Sequence, residues 1–285
     1  MKINRLSSDF GAEIEDVDAA DGLDGPTLTA IKDAFIEHRV VVIRDQIIEP
    51  QDQVAFSRQF GELEVQGNEA YHLADCPDVL VLSNEQADGK PVGVVEAGDF
   101  WHSDHPHHTT PTMATVLYAL KLPSVGGDTE FADMYAAYDN LPADLKTRIA
   151  GLKGINCANK LINPRVTISP DRPGAAEYYA ESAARNPPVA QPIARTHPVT
   201  GRKALFISPR FTIGIEGMDD AQAQPLLDEL FERQLSPEFI YHHTWRLHDL
   251  VMWDNRCVLH WACGGYKYPD TRRMHRTTIG GDVPF

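Results

Sequence analysis

The segment Phe100-Trp-His-Ser-Asp-His-Pro-His-His concentrates the groups best able to do chemistry. His102 and Asp104 are two apart. On a strand, alternate side chains share a face, so this imidazole and this carboxylate would point at one spot. Together they make two thirds of a facial triad, the donor set that leaves positions open on iron(II) for a co-substrate and O₂. A second histidine has to come from elsewhere. The best placed is His260, at the end of a strand-like run in Trp253-Asp-Asn-Arg-Cys-Val-Leu-His. Two blander readings stand beside this one. His105, His107 and His108 could form a surface zinc site or a solvated turn, and Trp253-Asp-Asn-Arg could be a turn whose Asp and Asn bond their own backbone.

A second constellation follows the distal histidine. Residues 272–279 read Arg-Arg-Met-His-Arg-Thr-Thr-Ile. On a strand, Arg272, Met274 and Arg276 face one way, and Arg273 and His275 the other. Two guanidiniums on one face make a site for two carboxylates, or for a carboxylate and a sulfonate, because the planar fork of arginine pairs bidentately with such anions. The alternative is an edge strand carrying solvated charges.

These residues need a scaffold. Residues 26–38 and 49–60 have helical apolar spacing, with Gly61 placed to cap the second; 136–152 and 220–235 also read as helices. Strands are expected over 40–43, 79–82, 112–122, 204–207, 239–245, 250–253 and 274–279. Residues 123–127 form a turn. Many short strands with Gly/Pro turns and a few helices predict a mainly β protein with a β-sandwich or jelly-roll core and flanking α-helices. Residues 156–198 carry seven prolines with little periodicity. Long loops inside a compact domain often act as lids, so this stretch is expected to border the active-site mouth within a single domain spanning 1–285.

The chain has 285 residues, 42% of them hydrophobic, and a formal net charge of −15. Such a charge repels nucleic-acid phosphates and anionic membrane surfaces, so neither is expected as a partner. An anionic substrate would need a local basic pocket. Cys76, Cys157, Cys257 and Cys263 form no CxxC pair. The polar N-terminal stretch holds no signal-peptide core, and no run reaches a membrane span of about 20 apolar residues. A cytoplasmic protein with reduced thiols is the expectation, and the oligomeric state stays open.

With His102-x-Asp104, a distal His260 and the Arg272/Arg276 pair in that order, the chain resembles the taurine/2,4-dichlorophenoxyacetate dioxygenase family. The resemblance runs nearly end to end. It includes Gly11-Ala-Glu-Ile, the helix end Phe56-Ser-Arg-Gln-Phe-Gly, Gly126-Gly-Asp-Thr-Glu-Phe-Ala-Asp-Met, Arg195-Thr-His-Pro and Met274-His-Arg. It implies a double-stranded β-helix that uses Fe(II), 2-oxoglutarate and O₂ to hydroxylate a small anionic organic acid, releasing succinate and CO₂. It further implies that His102, Asp104 and His260 hold iron. Arg272 would hold the distal carboxylate of 2-oxoglutarate with a hydroxyl contact from Thr129, and Arg276 the anion of the primary substrate. Arg273 competes with Arg272, and the four-residue spacing to Arg276 favours Arg272. Tyr71 and His72 are carried as further substrate contacts, although 64–71 lacks the histidine-rich pattern of taurine binders. The segments 126–134 and 251–260 look closer to the aryloxyalkanoate branch. A metal-dependent hydrolase and an inactive jelly-roll binding protein are the alternatives. No HExxH or GxSxG supports the first, and the complete set of ligands and arginines argues against the second.

Overall fold

The computed structural model describes residues 1–6, 10–65, 69–95, 98–158, 181, 184 and 187–285. Eleven strands of two sheets carry the candidate site. In chain order they are β1 (Lys2–Arg5), β2 (Ala12–Glu15), β3 (Val40–Ile43), β4 (His72–Leu73), β5 (Cys76–Ser83) and β6 (Ala114–Lys121). There follow β7 (Thr129–Asp133), β8 (Ile240–His243), β9 (Leu250–Asp254), β10 (Val258–Ala262) and β11 (Arg273–Ile279). The large sheet runs β1-β2-β3-β9-β6-β11-β5-β4 and the small one β8-β7-β10. Every pairing in these two sheets is antiparallel except β2 with β3.

The two-residue period of the strands sorts their side chains into two layers. Val40, Val42, Leu117, Ala119, Val251, Trp253 and Met274 face one way and pack with Phe131, Ala132, Val258 and Leu259 of the small sheet. Val41, Ile43, Val116, Tyr118, Leu250, Met252 and Ile279 face the other way, under helices α1 (Gly25–His38) and α2 (Pro50–Arg58). Burial of each Val, Leu, Ile, Phe or Met among them stabilises by about 1.5–3 kcal/mol. The large sheet is therefore sandwiched, and its central strands read as continuous apolar runs because both faces are covered. Helix α1 starts where the Asp24 carboxylate accepts from the Thr27 N–H at 2.8 Å, and it ends at Arg39, which takes a left-handed φ of 64°.

Several expectations are revised. The helix expected over 136–152 is two, α3 (Met134–Asp139) and α4 (Ala143–Ile149), because Pro142 lacks the N–H and the space to continue one. A third long helix, α5, runs Asp220–Arg233. Gly61 does not cap α2, whose C-cap is Gln59; a β-carbon at Gly61 would lie 2.9 Å from Ile279 Cγ2, so the glycine permits close approach to β11. Of the loop expected over 156–198, residues 159–186 lie outside the described residues apart from 181 and 184. Its two ends are not loop. Lys153–Asn156 pairs antiparallel with Val189–Pro192, bringing Asn156 opposite Val189, and Ala194–Thr196 pairs with Lys203–Leu205. Val189–Pro192 is an edge strand, where proline is tolerated. No helix among the described residues is long and apolar enough to cross a membrane.

Candidate metal centre

The two candidate histidines are joined through their backbones. His102 and His260 form an isolated antiparallel bridge, with N–H to carbonyl distances of 3.0 and 2.8 Å. Residues 102–104 are not a strand. His102, Asp104 and His260 do come together, but strand alternation is not the cause. His102 is pinned by this bridge and by its Nδ1, 2.8 Å from the Phe100 carbonyl. With Nδ1–H donating there, Nε2 keeps its lone pair for a metal. Asp104 is pinned separately. Its backbone N–H donates to Asn255 Oδ1 (3.0 Å), and its Oδ2 accepts from the Thr115 hydroxyl (2.6 Å). Asn255 Nδ2 donates to Thr115 Oγ1 (3.1 Å), and Trp253 Nε1 to Asn255 Oδ1 (3.2 Å). Asp104 Oδ1 is thereby left facing His102 Nε2 at 3.7 Å and His260 Nε2 at 4.0 Å.

These three side chains are buried, and each offers one donor atom within 4.8 Å of the others. Bonds of about 2.1 Å to a shared ion would place neighbouring octahedral donors about 3 Å apart, so Asp104 Oδ1, at 3.7 and 4.0 Å from the two Nε2 atoms, needs to close on each by about 1 Å or less. Two neutral imidazoles and one carboxylate on one side suit iron(II), and the residues present fit that ion. Burial holds the His102 and His260 imidazoles below their ordinary range, as the uncharged ligand form requires. Burial alone would raise Asp104, but the Arg276 guanidinium, then His260 and His102, outweigh it and hold the carboxyl well below its usual range.

The ligands line a cavity of about 200 Å³, together with Phe100, Phe211, Trp253, Thr129, His105, Arg272 and Arg276. Both arginines reach it from the inner face of β11 and its preceding residue, on either side of buried Met274. Arg272 is 7% exposed, and its Nε and Nη2 have no hydrogen-bond partner among the described residues. Its guanidinium lies 5.6 Å from the Trp245 ring, and Trp245 Nε1 donates to Thr129 Oγ1 at 3.0 Å. One indole thus braces both groups expected to meet 2-oxoglutarate. Arg273 points away, with Nη1 3.5 Å from Glu85 Oε2. Arg276 Nη2 lies 3.3 Å from Asp104 Oδ1 without hydrogen-bond alignment, and its Nε is also unpartnered. Buried guanidinium N–H groups without acceptors mark where an anion is accommodated.

Tyr71 and His72 do not line this cavity. They sit at the outer edge of the large sheet, where His72 Nδ1 is 2.6 Å from the Pro77 carbonyl in its own hairpin. The turn expected at Trp253-Asp-Asn-Arg exists, but only Asp254 bonds back to it, accepting from the Arg256 N–H at 3.0 Å and from its guanidinium at 2.8 and 2.6 Å. Of the two readings of His105, His107 and His108, the surface zinc site finds no support, and the turn is present, closed by the His108 N–H on the His105 carbonyl, but it is partly buried rather than solvated. Their rings pack on one another and on Phe211, and no metal-ligating group among the described residues includes them. Sequence reasoning missed Thr115, Asn255, Trp245 and Gly98. Gly98 has φ +80°, and a β-carbon there would lie 2.8 Å from His102 Cε1.

A family model described as taurine catabolism dioxygenase TauD, TfdA family matches residues 2–278. The chain is 37% identical over 290 residues to the alpha-ketoglutarate-dependent 2,4-dichlorophenoxyacetate dioxygenase of Cupriavidus pinatubonensis, with 98% of each chain covered. It is 32% identical over 287 residues to the (S)-phenoxypropionate/alpha-ketoglutarate-dioxygenase of Sphingobium herbicidovorans, covering 97% of this chain and 94% of that one. Among solved structures, AAD-2 in complex with Mn(II) and N-oxalylglycine superposes with a TM-score of 0.84 at 32% identity, covering 99% of both chains.

Proposed function

We infer that this chain, which belongs to the taurine catabolism dioxygenase TauD, TfdA family, is an Fe(II)- and 2-oxoglutarate-dependent dioxygenase that hydroxylates a small anionic organic acid. The observation that carries this reading is one cavity holding both the His102/Asp104/His260 donor set and two arginines, Arg272 buried and Arg276 partly buried, each with unpartnered buried N–H groups. Iron(II) with 2-oxoglutarate and O₂ supplies the oxidant that removes hydrogen from a substrate carbon, and succinate and CO₂ leave.

The residues divide the remaining work. His102, Asp104 and His260 are assigned to the metal. Arg272 and Thr129, braced by Trp245, are assigned to the distal carboxylate of 2-oxoglutarate. Arg276 is assigned to the primary substrate's anion, which turns a C–H bond toward the metal and holds it there. Charge supports this division. Asp104, a divalent ion, dianionic 2-oxoglutarate and two guanidiniums leave one positive charge, which a monoanionic substrate neutralises. The rings of Phe100 and Phe211, 6.1 Å apart and edge-to-face, line the cavity and exclude water around the reacting carbon. Their apolar wall and the names of the relatives favour an aryloxyalkanoate over an alkyl sulfonate.

The alternating strands and the sandwiched layers support a jelly-roll core in a single domain, and cysteines that form no disulfide with one another fit a reducing, cytoplasmic setting. Oxygen uptake and succinate release with Fe(II), 2-oxoglutarate and a panel of aryloxyacids and alkyl sulfonates test the assignment. Turnover stimulated by an aryloxyacid is the expected result. Hydrolysis of a test ester without O₂ uptake would return the site to the hydrolase reading.

A further inference from the structure

His105 stands next to the ligand Asp104 and takes a φ of 50°, a left-handed conformation uncommon outside glycine. Residues held in such conformations are kept there by their surroundings and cluster at sites of function. The surroundings here are specific. Nδ1 of His105 lies 2.9 Å from the Thr112 hydroxyl, and Thr112 is fully buried. The ring stacks on His108 at 5.0 Å and 21°. A turn closed by the His108 N–H on the His105 carbonyl (3.0 Å) fixes the backbone. The imidazole forms part of the metal cavity wall beside Arg276, and its Nε2 has no hydrogen-bond partner among the described residues. A ring with one nitrogen anchored and the other open to a cavity is an oriented hydrogen-bonding group awaiting a ligand.

We propose that His105 is a specificity-determining residue whose Nε2–H, set by the Thr112–Nδ1 bond, donates to the primary substrate's anion together with the Arg276 guanidinium. The proposal rests on the aryloxyacid reading above. Arg276 alone binds one edge of a carboxylate, and the group can still swing about that edge. A second donor on a rigid ring fixes its plane, and with it the direction of the adjacent C–H bond. The co-substrate end of the cavity has its own pair, Arg272 and Thr129, so His105 affects one anion and not the other.

The test is calorimetric binding of phenoxyacetate and of its neutral counterpart phenoxyacetamide to protein loaded with redox-inert Mn(II) and 2-oxoglutarate. A hydrogen bond to a charged group contributes about 1.5–3 kcal/mol. His105→Ala should therefore weaken phenoxyacetate roughly 10- to 100-fold, change phenoxyacetamide much less, and leave 2-oxoglutarate affinity as in wild type. His105→Asn keeps an N–H donor and tolerates the left-handed backbone, and it should recover part of the loss. Thr112→Val leaves the ring in place but frees its orientation, and it should produce the same selective defect; this variant serves if His105→Ala fails to fold. Unchanged phenoxyacetate affinity in both variants, or equal losses for acid and amide, overturns the proposal. Wild-type protein that neither binds nor oxidises phenoxyacetate overturns the aryloxyacid reading as well, which separates the two failures.

Discussion

Replacing Gly98 by alanine should weaken metal binding although Gly98 ligates nothing. The added β-carbon would lie 2.8 Å from His102 Cε1, closer than carbon atoms approach without movement, on a backbone with φ +80°. Two costs follow. The backbone conformation itself costs roughly 1–2 kcal/mol for a residue with a β-carbon. The contact must then be relieved by the loop, which is tied by the Gly98 carbonyl accepting from the Ala262 N–H at 2.8 Å, or by the His102 ring. The ring is held by Phe100 and by the bridge to His260, so relief tilts Nε2 away from the metal. Displacing the support of a ligating histidine typically costs 10- to 100-fold in metal affinity, about 1.4–2.8 kcal/mol. Gly89→Ala is the control: its φ is +74°, and nothing lies within 4 Å of an added β-carbon. Both variants should lose thermal stability through the backbone cost, Gly98→Ala the more for its added contact, and only Gly98→Ala should lose Fe(II) or Co(II) affinity in calorimetric titration of the metal-free protein. Equal metal affinities for the two variants would refute the steric argument.

Three further outcomes are expected. Arg272→Ala should weaken 2-oxoglutarate by about 2–5 kcal/mol, roughly 30-fold or more, while Arg273→Ala, which removes only a contact to Glu85, should leave it unchanged; the reverse result would place the co-substrate on the other face of β11. Asn255→Ala removes the acceptor of the Asp104 N–H and should lower metal affinity about 10-fold or more, read by titration, with Asn255→Asp closer to wild type; unchanged affinity would mean Thr115 alone holds the carboxylate. Burial, and then Arg273, push His275 down to about 4. A histidine depressed in the folded state is neutral there while the unfolded chain takes up its proton, so its stabilising share is whole above about pH 6.5 and shrinks as pH falls toward 4. Urea midpoints should fall across that window, and His275→Gln should flatten the slope; an unaltered slope would assign acid sensitivity elsewhere.

What could be read from the sequence followed periodicity. The alternation through Arg272, Met274 and Arg276 is a local property of a strand, and the large sheet preserves it because β11 is covered on both faces. His102, Asp104 and His260 were legible as types and spacing, but not the reason they meet. That reason lies in a bridge across the chain and in two polar side chains, Thr115 and Asn255, which look like ordinary strand and turn residues. Trp245 was hidden for the same cause: its effect on Thr129 and Arg272 exists only after β7 and the approach to β11 are brought together. Tyr71 and His72 were carried on the resemblance alone, with no periodicity to place them, and neither is among the residues that line the cavity.

The order of the large sheet has a consequence for how the chain is made. β11 occupies an inner slot, between β5 and β6, yet every other strand of both sheets precedes it in the sequence. While the polypeptide grows on the ribosome, β5 and β6 emerge with open edges facing a gap that nothing yet fills. Such edges are templates for pairing with neighbouring nascent chains. His260 and both site arginines also arrive late, so an unfinished chain presents only His102 and Asp104 to passing metal ions and cannot hold one in the full donor set. Closure of the sheet and completion of the site are thus one late event. Messages truncated before residue 260 should yield aggregated, metal-free polypeptide rather than a smaller working enzyme.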